Sequence, residues 1–245
     1  MKTKAFIVGT LFLVALNFGF SGCSRGGDSM FGEIPSIYEE ELVGFLNSTK
    51  ELINSMNNGE DIKGEDALLA YSNFEASMKK AEEKAQPLAD EMIGKTIPYT
   101  MSDSLPYRIV SDIKITKVLL PEMKMTKRKN ESLRLDIEFD VVFTQEQNPA
   151  NLYYFIMSGD QPIEYCNMCY LRTLPEGDTL HVENTIEAPE VPAKYLKECE
   201  ELRFVTAYAF LSNMEQIKER KEAWKKAFDQ EFGLDKEYLN SATLL

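Results

Sequence analysis

Leu133-Arg134-Leu135-Asp136-Ile137-Glu138-Phe139-Asp140-Val141-Val142-Phe143 decides how the middle of this chain folds. Apolar side chains at every second position alternate with Arg134, Asp136, Glu138 and Asp140. Successive side chains of a strand point to opposite faces, so this is a strand with one face buried and one wet. The same period extends outward. Ile113, Ile115 and Val118 alternate with Lys114 and Thr116 upstream. Downstream, Leu152 to Met157 is a β-rich run, Ser158-Gly159-Asp160-Gln161-Pro162 is a hairpin turn, and Ile163 to Leu171 returns. Pro175-Glu176-Gly177-Asp178 suits a type I turn, after which Leu180, Val182, Asn184 and Ile186 alternate. Leu202 to Leu211 is a last strand with both faces apolar. Six or seven strands without intervening helices predict an antiparallel sandwich over residues 98–211.

Helical periods flank this block. Tyr38, Leu42, Phe45, Leu46, Ile53 and Met56 form one stripe, and Asn57-Asn58-Gly59-Glu60 reads as a turn. Ala67, Tyr71, Phe74, Met78, Ala81, Ala85, Leu88 and Met92 then follow a heptad seam. Residues 36–97 are therefore expected to be a helical hairpin, the seam packing inside the chain or against a second copy. Pro87 should kink the second helix or end it near Lys84. Residues 212–245 should be a C-terminal amphipathic helix and tail. Ser212 and Glu215 form a capping box, Met214, Ile217, Lys221, Trp224, Phe228 and Phe232 one face, and Gly233 the C-cap. The fold class is α+β.

The order of strands over 105–211 resembles the immunoglobulin-like sandwich domains of bacterial envelope lipoproteins. The match rests on the long strand at Leu133–Phe143, the hairpin at Gly159 and the Pro-x-Gly-Asp turn before Leu180. The Cys…Trp…Cys core of antibody domains is absent, since Trp224 lies outside this region. A sheet covered by helices on one face, as in cystatin-like folds, is the alternative.

Composition narrows the function. The chain has 245 residues, 44% hydrophobic, which is too apolar for disorder. Its formal charge of −13 argues against nucleic acid, whose binders need a basic surface. With one histidine, His181, most His-based triads and His-rich metal sites are unexpected.

The first 23 residues carry an address. Lys2 and Lys4 precede an uncharged apolar run, Ala5 to Leu16, and small residues follow in Phe20-Ser21-Gly22-Cys23. This is a signal-peptide pattern, too short for a spanning helix. Ser21-Gly22-Cys23 resembles the lipobox of bacterial lipoproteins, with Phe20 where that family usually has Leu. The resemblance implies cleavage after residue 22 and acylation of Cys23. Cleavage removes Lys2 and Lys4 from 27 basic residues against 40 acidic ones, leaving −15 over 223 residues. Residues 23–35 read as a flexible tether holding an acidic body off an often anionic bilayer. Ser24 after the cysteine points to the outer membrane. Ser24-Arg25-Gly26-Gly27-Asp28 fits poorly the acidic surface-export signal of some Gram-negative anaerobes. The periplasmic leaflet is expected.

Cys166-Asn167-Met168-Cys169 leaves three options open. A zinc site would need both thiols with Cys199 and His181. A redox pair usually opens a helix, whereas this one lies in an expected strand, where positions i and i+3 face opposite ways. The structural reading is a bridge or buried thiols, and a bridge in an oxidising compartment would join Cys169 or Cys166 to Cys199 before Cys166 to Cys169. Glu39-Glu40-Glu41, Glu82-Glu83 and Glu198 with Glu200-Glu201 read as solvated faces. Asp61 to Asp66 lacks the spacing of a calcium loop. The triplets at Asp28-Ser29-Met30, Asp103-Ser104-Leu105 and Asp178-Thr179-Leu180 resemble O-glycosylation acceptors of some Gram-negative anaerobes. Ser29 is the preferred one, being in the tether.

No catalytic, cofactor-binding or metal-binding set emerges, so no cofactor is implied. The expectation is a non-enzymatic envelope lipoprotein, anchored to the membrane at Cys23, whose body binds a protein or glycan. The alternatives are a glycan-acting envelope enzyme with unidentified carboxylates, or a metal or redox protein using Cys166 and Cys169.

Overall fold

The computed structural model describes residues 29–58, 60, 63–121, 132–189 and 191–232. The expected signal peptide and lipobox with Cys23, the turn residue Gly59 and the expected cap at Gly233 lie outside the described residues, as do the side chains of Met56 and Phe232.

Three helices come first: α1 (Ile34–Ser48), α2 (Lys50–Asn57) and α3 (Gly64–Met92). Tyr38, Leu42, Phe45, Leu46 and Ile53 are buried on the expected stripe. The stripe bends at Thr49, whose hydroxyl donates to Phe45 O at 2.9 Å. α3 lies along α1. Phe74 meets Phe45 edge to face at 5.3 Å, and Lys84 meets Glu41 at 2.7 Å. Most of the heptad seam is thus buried inside the chain, with Tyr71 and Leu88 only half-buried. Pro87 does not end the helix, which continues to Met92. Pro87 and Glu83, four residues before it, are both exposed, so water reaches the carbonyl that loses its donor. Ala85, Ala89 and Met92 are buried on either side of the proline and hold the segment in place.

Nine strands follow among the described residues, in two sheets. β1 (Thr96–Ile97), β3 (Tyr107–Ile109), β4 (Ile113–Leu119), β5 (Arg134–Phe143) and β8 (Thr179–Glu187) form the first. β2 (Tyr99–Met101), β6 (Ala150–Ser158), β7 (Gln161–Tyr170) and β9 (Cys199–Val205) form the second. β5 is the centre of the first sheet. β8 pairs along one edge, and β3 and β4 pair in tandem along the other. Between β3 and β4, Ser111 Oγ accepts from Asp140 N at 2.7 Å, which continues the ladder through a side chain. In β4 the register shifts between Ile115 and Lys117, which moves the buried set from Ile113 and Ile115 to Val118 and Leu120.

The inward row of β5, Leu135, Ile137, Phe139, Val141 and Phe143, is almost inaccessible to water. Burying each such side chain contributes about 1.5–3 kcal/mol. Phe139 meets Phe204 of β9 at 5.7 Å, so the inner faces of the two sheets share one core with α1 and α3. There are two sheets, not one sheet with helices on one face. One pair, β2 with β9, is parallel, so the arrangement is not wholly antiparallel.

Boundaries differ from the sequence reading in three places. The last strand stops at Val205, and α5 (Ala207–Phe232) begins inside the stretch expected to be strand. Thr206 Oγ1 accepts from Ala209 N at 3.3 Å and starts the helix, whereas Ser212 Oγ donates to Ala209 O within it. Val205 is apolar on the outer face because Phe210 and Ile217 of α5 cover it. Gly177 has φ +85°, with Asp178 N donating to Pro175 O, which is a type II turn and not type I. Finally, the end of the expected tether is packed: Met30, Phe31 and Ile34 are buried in the main core. The packed body therefore includes Met30, Phe31 and Ile34.

Candidate functional site

The three thiols sit far apart. Cys166 is paired with Tyr154 on β6, and Cys199 with Ser158 on the other edge of β6. Four residues along one strand and two inter-strand spacings separate them, about 13 Å by about 10 Å. A disulfide needs Cα atoms within about 7 Å. Cys169 pairs with Asn151, further still from Ser158. The expected Cys166–Cys199 and Cys169–Cys199 bridges do not form, and all three cysteines are free. Cys166 is half-buried and accepts from Asn184 Nδ2, which also donates to the Tyr154 hydroxyl at 2.8 Å. Cys169 is exposed. Cys199 is buried and donates to Tyr195 O at 3.2 Å, and burial pushes its thiol well above the usual range.

His181 stands on the wet face of β8, with Nδ1 2.9 Å from Asp140 Oδ1. The Asp140 hydrogen bond raises its pKa. Cys166, Cys169, Cys199 and His181 do not converge. Among the described residues no group of three or more His, Cys, Asp and Glu side chains is arranged to hold a metal ion.

The carboxylates bring a correction. Glu39 and Glu41 are buried rather than solvated. Burial opposes ionisation of Glu41, but hydrogen bonds from Lys80 and Lys84 outweigh it and hold the carboxyl below its ordinary value. For Glu39 burial prevails over the nearby Lys197 and Lys194 and raises the carboxyl to about 7. Its Oε1 has no hydrogen-bond partner. A sequence signal existed, since Glu39 falls in step with Leu42 and Leu46 on an apolar stripe. A second missed feature is Glu164, whose Oε2 meets Lys221 Nζ at 2.6 Å beneath α5. Burial raises the Glu164 carboxyl despite that partner.

Around Ser29 several features gather. Ser29 Oγ donates to Leu196 O at 2.5 Å and accepts from Phe31 N, and Met30 N donates to Cys199 O at 2.7 Å. Ser29 is therefore tied to the body, not carried on a loose tether, which removes its advantage as a glycan acceptor. Ser104 and Thr179 are exposed. Leu196 closes α4 (Ala193–Leu196), which contacts α1. Phe31, Ile34, Tyr38, Leu133, Val191 and Leu196 line a small apolar cleft. Beside it Tyr195 stacks on Trp224 at 4.4 Å. Lys194 Nζ lies 4.7 Å from the Tyr195 ring centroid, and Lys197 is 3.6 Å from Glu33. No described helix is long and apolar enough to cross a membrane.

No protein-family model, curated protein or solved structure matches this chain.

Proposed function

We propose that this chain is a cell-envelope lipoprotein, cut before Cys23, acylated there, and held at the outer membrane with its body in the periplasm. Its two-sheet body is an immunoglobulin-like sandwich that serves as a non-enzymatic binding or structural module for a protein or glycan. The observation that carries the reading is Ser21-Gly22-Cys23 placed directly after a basic n-region and an uncharged apolar run. Its physical basis is the acyl chains, since each buried CH₂ contributes about 0.8 kcal/mol and more than one chain makes attachment stable. The separation of the thiols from one another and from His181 favours a binding role over the metal or redox alternative. The test is Cys23→Ala in a host that processes lipoproteins. Acylation should be lost and the protein should leave the membrane fraction. Unchanged membrane association would overturn the anchor.

A further inference from the structure

We infer that the face carrying Lys194, Tyr195, Lys197 and Trp224 rests on the lipid headgroups of the bilayer that holds the anchor. The inference depends on the acylation of Cys23 proposed above and adds an orientation to it. Three observations lead there. The first is chain length. With residues 29–35 packed into the body, only residues 24–28 lie between Cys23 and the first described residue, in place of the longer tether read from sequence. Six peptide steps span at most about 21 Å even when fully extended. The point where the chain leaves the body is therefore kept close to the headgroup layer. At full extension the exit stands about two Debye lengths from the surface, where salt already screens most of the repulsion between an acidic body and an anionic bilayer.

The second observation is what surrounds that exit. Ser29 is hydrogen-bonded to Leu196, the neighbour of both Tyr195 and Lys197. Tyr195 and Trp224 are stacked and half-buried, each docked on the core by one side. Amphipathic rings of this kind favour the interface between hydrocarbon and water, where the apolar body of the ring and its polar N–H or O–H are both satisfied. The third is charge. Lys194 and Lys197 place two ammonium groups here in a chain whose mature charge is −15. Glu33 pairs with Lys197, and the Glu39 carboxyl, held up near 7, is buried behind both lysines. Exposed Glu198 and Glu200 are the groups nearby in sequence that oppose the approach. Long lysine stems let the ammonium groups reach phosphates while the aromatic pair sits at the same level.

Trp224 is the sole tryptophan, so its fluorescence reports on this face alone. The full chain, processed in a lipoprotein-competent host, is placed in phosphatidylethanolamine–phosphatidylglycerol vesicles that carry a nitroxide at a shallow or a deep position on the lipid. Mass spectrometry of the same sample reads the lipid on Cys23. The expected result is an acylated Cys23 and a loss of Trp224 emission that is larger with the shallow nitroxide than with the deep one. An acylated, vesicle-bound protein whose emission is the same with and without nitroxide would overturn the orientation and leave the anchor standing. Absence of lipid on Cys23 would overturn both.

Discussion

Glu39 places a carboxyl in an apolar stripe of α1, and burial moves its pKa from 4.5 to about 7. Between those values the folded chain keeps a proton that the unfolded chain has lost. Stability from this group is therefore present below about pH 4.5 and declines as pH rises towards 7. Allowing for solvent screening, the loss is about 1–2 kcal/mol. Glu39→Gln should raise the melting temperature at pH 8, leave it nearly unchanged at pH 5, and flatten the profile between them. Parallel profiles for the two proteins would show that Glu39 does not titrate in this window. The thiols offer a second check at this scale. Cys169 is exposed, while Cys199 is buried with its thiol pKa raised well above normal. A maleimide should modify Cys169 in the folded protein and reach Cys199 only after denaturation. A Cys199 disulfide in the mature protein would contradict the strand register.

α5 packs Phe210 and Ile217 on the outer face of the second sheet and adds polar contacts to β7. Lys221 meets Glu164 of β7, and Arg220 donates to Pro162 O. Lys221→Met leaves the buried Glu164 carboxyl without its partner and should cost about 3 kcal/mol, whereas the double change Glu164→Leu with Lys221→Met should cost far less. Denaturant titration of the three proteins checks this, and equal losses for the single and double variants would remove the ion pair as the cause. The limits of sequence reading also belong to this scale. β5 was legible because one face is wet, so its period of two survives intact. β9 was extended too far because Val205, Ala207 and Ala209 are all apolar and continue the alternation, while α5 folds back so that Phe210 and Ile217 cover Val205 and leave Ala207 and Tyr208 exposed. The helix start at Thr206 is a side-chain cap that periodicity does not register. Glu164 and Lys221 are 57 residues apart, and only the docking of α5 on β7 brings them together. The thiol spacing suggested a site, but register places Cys166 and Cys169 on opposite sides of one strand and Cys199 across β6.

At the scale of the whole molecule, the packed body reaches closer to Cys23 than composition implied. Met30 and Phe31 are buried, Met30 N donates to Cys199 O, and Ser29 Oγ donates to Leu196 O. A Gly- and Asp-containing stretch reads as a tether, yet its last residues supply apolar side chains to the main core. The account thus has an acidic two-sheet body with a short lead to its proposed anchor. The measurement that tests it most directly is the mass of the N-terminal peptide of the protein recovered from membranes. The account predicts a peptide that begins at Cys23 and carries acyl groups. A peptide that begins elsewhere, or a Cys23 with an unmodified thiol and amine, would contradict it.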